Sequence, residues 1–239
     1  MNISTEEKLM YAVMKAIYDS RIPMNFKGSM VLKACLFEAG YAEETRHTVD
    51  IDANWISDNT PNADQMVESL QAAIKNSGID LKVGLYRIYG EGRSAGFELR
   101  DSITDDLLFT MDVDVNRPAP KTKIYEIEEI CFRGVVPTQM ISDKISVIST
   151  DKVFRRIKDV IDLYYISKVF TFNKSEFLET LNSTGRVLGS FNSFLHEKEN
   201  LRHSYEKFRF SGNVNKPSFD EVYSAVRAYI SEILPATNL

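Results

Sequence analysis

The sequence predicts an α+β fold followed by a carboxy-terminal helical domain, and three features carry that prediction. Two helix signals, a strand and a third helix occupy the first eighty residues, a run of β segments fills residues 81–133, and from Thr138 onward the apolar period is helical. Read along the chain, the order is helix, helix, strand, helix, several strands and an all-helical third. The boundary falls near 136–150, giving a core over 1–136 and a helical domain over 137–239.

The first helix follows from Leu9, Val13 and Ile17 at helical spacing, and it ends before Pro23. Gly28-Ser29 then opens the apolar helical stretch MVLKACLFEAG, with Gly40 as a natural residue beyond its end. In HTVDIDANW, Val49 and Ile51 alternate with Asp50 and Asp52, so a strand would aim both carboxylates one way and the apolar pair at the core. A helix after Pro61 is marked by Met66, Leu70, Ala73 and Ile74 and is stopped at Gly78.

A β meander is expected next, with strands LKVGLYRIY, SAGFELR, LLFTMDVDV and KIYEIEEICF separated by Gly, Asp or Pro turns. Near the end, Ser218 and Glu221 have capping-box spacing ahead of a stripe of Val222, Ala225, Val226, Tyr229, Ile230 and Ile233. Residues 185–217 read as loop and short helices.

At 239 residues the chain can bury a sizeable core without staples. Its two cysteines, Cys35 and Cys131, have no partner at metal-ligand spacing and read as small buried hydrophobes in a reducing compartment. No apolar run is long enough for a membrane helix, and MNISTEEKLMYAVMK lacks the basic and apolar regions of a secretory signal, so the expectation is a cytoplasmic protein. A net charge of −5 argues against broad non-specific nucleic-acid binding but leaves room for a local basic groove. Lys152, Arg155, Arg156 and Lys158 are the natural members of such a groove.

Three features carry chemistry. Gly28-Ser29 at a helix start offers free N–H groups, a favourable dipole and a hydroxyl to a phosphate, although many helix starts carry such a pair merely as a cap. Asp50-Ile51-Asp52 sets two carboxylates on one strand face, where they repel each other unless water or a divalent cation surrounds them. Asp112 and Asp114 again share one face of an otherwise apolar strand, and either would complete a metal-binding trio and orient an attacking hydroxyl. The bland counterpart is a wet strand face.

A helix-opening G-S, then D-x-D, then a later strand carboxylate resembles the polymerase-β-like nucleotidyltransferase superfamily. FKGSMVLKACL with RHTVDID resembles more specifically the AbiEii/AbiGii-type toxin nucleotidyltransferases, through Lys27, Gly28, Ser29, Arg46, Thr48, Asp50 and Asp52. VVPTQMISDKISVIS resembles that family's helix with a lysine after an acidic residue, here Asp143 and Lys144. RRIKDVIDLYYI resembles its R-x-K-D-x-x-D-L-Y helix, through Arg156, Lys158, Asp159 and Asp162. The resemblance spans roughly residues 22–170. It departs from the family at Ser29, where a second glycine is common, at Asp143, where Glu is usual, and at Ala53-Asn54, where a more apolar continuation is usual.

The resemblance implies a nucleotidyltransferase-like mixed sheet with flanking helices plus the helical domain. It implies transfer of a nucleotide from a nucleoside triphosphate, with Gly28 and Ser29 on the phosphates and Mg²⁺ (or Mn²⁺) on Asp50, Asp52 and Asp114 or Asp112. Asp114, in VDVN, is the favoured third carboxylate and would help activate the acceptor. Lys144 would offset phosphate charge, and Asp159 and Asp162 would orient it or contact the nucleotide. On the helix alone, Asp159 and Asp162 fit intrahelical pairs with Arg155 and Lys158. The biology implied is that of a toxin with a separate antitoxin protein, with tRNA as a candidate acceptor and no membrane role. A small-molecule nucleotidyltransferase of the antibiotic-modifying kind and a catalytically silent nucleotide- or partner-binding protein remain as alternatives.

Overall fold

In the computed structural model, the described residues are 3–43, 45–89, 94–115, 118–210 and 215–235. They form two compact units: residues 1–38 with 48–136, and residues 39–47 with 137–239. The segment 39–47, assigned to the core on sequence, groups with the helical unit. Among the described residues no helix is long and apolar enough to cross a membrane.

The first unit contains α1 (Thr5–Asp19), β1 (Met24–Lys27), α2 (Gly28–Glu38), β2 (Asp50–Trp55), α3 (Ala63–Asn76), β3 (Leu81–Tyr89), β4 (Ser94–Asp101), β5 (Leu107–Val115), β6 (Thr122–Ile127) and β7 (Ile130–Val135). The strands make one mixed sheet in the order β3-β4-β5-β2-β1-β7-β6. Only β3, β4 and β5 form the expected meander. β5 then runs parallel beside β2, and the β6–β7 hairpin joins the far edge through β1.

Three sequence expectations change here. Residues 123–132 were expected as one strand, but the chain reverses at Glu128, whose φ of 56° makes a turn without glycine or proline. Strand β1 was not expected, because MNFK is too short to show a period. In addition, Val49 does not face the core: β2 begins at Asp50, and Val49 is 71% exposed.

The sheet has one apolar and one polar face. Phe26, Ile51, Ala53, Phe97, Met111 and Val113 are all buried and occupy positions that pair across β1, β2, β4 and β5. Helix α2 packs on β1 and β2, α1 on β7, and α3 on β3. Truncating a core ring such as Phe97 to alanine costs about 3–5 kcal/mol. Helix α1 is fixed by a capping box of Ser4 and Glu7. Glu7 is fully buried and also accepts from Lys33 of α2 at 3.1 Å and from the Thr48 N–H at 3.4 Å, tying the approach to β2 into the core.

The second unit holds α4 (Pro137–Ile148), a 3-10 turn (Val153–Arg156), α5 (Ile157–Ser167), α6 (Lys174–Ser183), α7 (Asn192–His196), α8 (Lys198–Lys207), α9 (Phe219–Tyr229) and a last 3-10 turn (Ser231–Ile233). The expected loop with short helices over 185–217 contains α7 and α8; residues 211–214 lie outside the described ones. The capping box at α9 is only half formed. The Ser218 hydroxyl accepts from the Glu221 N–H at 3.2 Å, but the Glu221 carboxylate accepts from Tyr164 of α5 and from Lys168 just past its end instead. Of its expected stripe, Val222, Val226 and Ile230 are buried, with Phe219 and Tyr223 added.

Candidate active site

The polar face of the sheet is assembled by strand register. Asp52 pairs with Asp112 across the parallel β2–β5 ladder, Asn54 pairs with Asp114, and Asp50 pairs with Thr110. From the other side Lys27 pairs with Asp52 and Asn25 with Asn54. Beyond β5, Gly96 pairs with Asp112 and Ser94 with Asp114. Paired residues share a face, so Asp50, Asp52, Asp112 and Asp114 all project to one side of adjacent strands, each half-buried.

The helix start meets this face at Asp52. Gly28 has φ 72°, the left-handed region, and a β-carbon added there would lie 2.2 Å from Asp52 Oδ2. Glycine is therefore required twice over, by backbone conformation and by the carboxylate lying against it. Ser29 follows, buried, in the first turn of α2. The first turn of α2 carries no acidic residue, so the helix dipole there favours an anion.

Each carboxylate has a distinct setting. Asp50 Oδ1 accepts from the Thr48 hydroxyl at 2.5 Å. Asp114 is engaged by Lys27 Nζ at 2.6 Å and by the Ser94 hydroxyl, while Lys27 also donates to Asn54 Oδ1 at 2.8 Å. Asp112 meets Arg87 of β3 at 3.3 Å. Proximity to Asp112 raises the Arg87 guanidinium above its ordinary value, and burial followed by Asp112 and Asp114 raises the Tyr89 hydroxyl.

A hard divalent cation suits the donor set by chemistry: the oxygens available to it are those of carboxylates on neighbouring positions of one face. The side chains are nevertheless turned toward protein partners. Among the described residues no three His, Cys, Asp or Glu side chains are gathered as a ready cation cage. Asp52 and Asp112 stand side by side, whereas Asp114 lies one step along the face beside Asn54.

The remaining predicted residues lie together in the helical unit. Lys144 of α4 pairs with Asp162 at 2.6 Å and Asp159 at 3.3 Å, both from α5. Arg46 clasps the same Asp162 through Nε at 2.7 Å and Nη2 at 2.8 Å. Arg156 reaches Asp159 at 2.9 Å, so Asp159 pairs three residues back along its helix. All but Arg156 are buried. Burial opposes charge on Lys144, but Asp162 and Asp159 outweigh it and raise the ammonium. Burial likewise opposes charge on Asp162, but Arg46 and Lys144 pull it well below the ordinary carboxylate range. Asp143, which precedes the lysine, pairs with Arg186 at 2.6 Å.

Several members of these clusters had no assigned role on sequence. Arg46 binds a residue 116 positions away, which no local pattern reveals. Arg87, Gly96 and Ser94 enter only through the pairing of β3, β4 and β5. Glu7 did leave a signal, the S-x-x-E spacing at the chain start.

Among solved structures, the chain is similar to MenT4, a nucleotidyltransferase toxin of Mycobacterium tuberculosis, with 15% identity, a TM-score of 0.59, and coverage of 97% of this chain and 84% of that one. It is also similar to an antigenic nucleotidyltransferase-like protein of Paracoccidioides brasiliensis (12% identity, TM-score 0.49, 80% of this chain and 96% of that one). A third similarity is to the polyadenylate synthase of Megavirus (14%, TM-score 0.40, 96% and 50%). The first shows a shared fold, and the other two are too distant to support more. No curated protein sequence matches the chain. The family described as nucleotidyl transferase AbiEii toxin, type IV toxin–antitoxin system, matches residues 9–225, nearly the whole chain. The chain therefore belongs to the AbiEii family of nucleotidyltransferase toxins.

Proposed function

We propose that the polar sheet face transfers a nucleotide from a nucleoside triphosphate to an acceptor hydroxyl in a reaction that needs Mg²⁺ or Mn²⁺. The observation that supports this most is the pairing of Asp52 with Asp112 directly against Gly28, which sets two carboxylates beside a helix start suited to phosphate. The Gly28 and Ser29 end of α2 would hold the β and γ phosphates. Asp50, Asp52 and Asp112 would hold the cation, and Thr48 keeps Asp50 aimed. When bound, the cation would neutralise the clustered carboxylates and polarise the phosphoryl oxygens. The acceptor oxygen would attack the α-phosphorus, a new P–O bond would form, the α–β bridging P–O bond would break, and pyrophosphate would leave. Asp112 would take the hydroxyl proton.

This reading moves the third carboxylate from Asp114 to Asp112. Asp114 is held by Lys27 and Ser94 and stands beside Asn54, so we assign it to orienting Lys27. The resemblance would give Lys144 to a nucleotide phosphate; the partners that support a role for it are Asp159 and Asp162, which hold it within the helical unit.

In the cell, the reading is a cytoplasmic toxin restrained by a separate antitoxin protein, with tRNA as the acceptor. The test is incubation of the purified chain with each labelled triphosphate, Mg²⁺ and total RNA. Label appearing in tRNA supports the whole reading. Label passing only to small molecules removes the tRNA part, and no transfer under any of these conditions contradicts the proposal.

A further inference from the structure

Strand β3 changes character halfway along. Leu81 and Val83 are buried, whereas Leu85, Tyr86, Arg87, Ile88 and Tyr89 are all exposed, Tyr86 by 54% and Ile88 by 58%. β3 is an edge strand, and long exposed apolar edges are costly to keep without a use. The pairing with β4 shifts between Leu85 and Arg87, so Tyr86 is an extra, bulged residue. Bulges of this kind re-aim side chains. Past the bulge, Arg87 pairs with Gly96 and Tyr89 with Ser94, which puts both on the face of Asp112 and Asp114.

These side chains form one cluster. The Arg87 guanidinium lies 5.1 Å from the Tyr86 ring centre and 4.7 Å from that of Tyr89, and reaches Asp112 at 3.3 Å. It crosses above Gly96, where a β-carbon would stand 3.1 Å from Arg87 Cγ and 3.0 Å from Asp112 Oδ1. The absence of a side chain at residue 96 is what lets the edge strand reach the carboxylate.

We propose that Tyr86, Arg87 and Tyr89 form the acceptor platform of this enzyme and take the unpaired terminal nucleotides of a single-stranded nucleic acid. The tyrosine rings stack the bases and Arg87 pairs with the phosphodiester. The platform rests on the reading of the polar face given above and deepens it. Two observations select this occupant. Exposed rings flanking a guanidinium match a ligand that alternates flat bases with negative charge. The cluster is also continuous with Asp112, on the side of the carboxylates away from Gly28. Triphosphate and acceptor then approach from opposite sides, as an in-line displacement requires.

The experiment measures binding and needs no turnover. Fluorescence anisotropy of a short labelled single-stranded oligoribonucleotide is recorded for the full chain, for Tyr86→Ala with Tyr89→Ala, and for Tyr86→Phe with Tyr89→Phe. Triphosphate binding in Mg²⁺ is measured in parallel by calorimetry. The alanine pair should weaken oligonucleotide binding about tenfold or more, given the strength of base–ring stacking. The phenylalanine pair should bind like the parent, and triphosphate affinity should stay constant. If the alanine pair melts early, Tyr86→Ala alone replaces it, with a loss of about fivefold expected. Unchanged oligonucleotide affinity overturns the proposal and leaves the edge to a protein partner. Loss of triphosphate affinity instead would assign the rings to the incoming nucleotide and also overturns it. Ring-dependent binding by a chain that transfers nothing would keep the platform and reject the transferase reading.

Discussion

The chain gathers ionised side chains in two places and treats them differently. On the polar sheet face, Asp112 is 31% exposed and its partner Arg87 49%, and the half-buried carboxylates there meet cations and hydroxyls that a ligand can displace. In the helical unit, Lys144 and Asp162 are 9% and 1% exposed, and Asp162 is gripped by two cations at once. Exposed pairs contribute at most about 1 kcal/mol, so breaking them to admit a metal or nucleotide costs little. Buried pairs are costly to assemble and far more costly to leave half-made. The same residue types thus make a surface that can rearrange and a strut that cannot.

The sharpest way to break this contrast is to remove Asp162. Asp162→Ala leaves Arg46 and Lys144 as buried unpaired cations and should cost about 3–5 kcal/mol of stability, read from urea unfolding. A loss below 1 kcal/mol would mean that the buried network is no strut.

Gly28→Ala probes the other region. It combines left-handed strain of about 1–2 kcal/mol with a β-carbon pressed on Asp52, so melting should fall moderately while nucleotide transfer is lost. Transfer at the parental rate would separate the helix start from the chemistry.

The two regions should also differ in acid. The folded value of Asp162 is depressed, so its contribution is complete above its ordinary value of 3.8 and disappears as pH falls below that toward the folded value. Lys144 is raised, so its share is complete below 10.5 and is lost only as pH rises through the higher folded value. Unfolding midpoints recorded from pH 7 to pH 2 should therefore drop steeply below about pH 4 in the parent. Asp162→Asn, already weakened, should show a shallower drop. Parallel curves would place the acid sensitivity elsewhere.

Much of this was legible in sequence, and what was not shares a cause. β3 and β5 span the segments read for them from end to end, and the D-x-D side chains share a face because strand geometry demands it. The turn at Glu128 escaped because its left-handed residue is not glycine or asparagine, and β1 because four residues show no period. Asp114 was favoured over Asp112 from the look of its strand end. Which of the two stands beside Asp52 depends on parallel register across more than fifty residues of chain, and periodicity carries no register. The intrahelical pairs expected for Asp159 and Asp162 did not foretell the cations that Arg46 and α4 bring to Asp162, since one helix cannot announce what packs on it.

Asp52→Ala tests the central claim most directly, that the polar face is a site for chemistry and not a structural element. Removing a half-buried carboxylate beside Asp112 relieves like-charge repulsion, so stability should stay within about 0.5 kcal/mol of the parent. Transfer from a labelled triphosphate in Mg²⁺ should fall by orders of magnitude, and expression without an antitoxin should become harmless. Measured side by side, parental melting with lost transfer is the predicted result. A variant that melts normally and transfers at the parental rate would contradict the account.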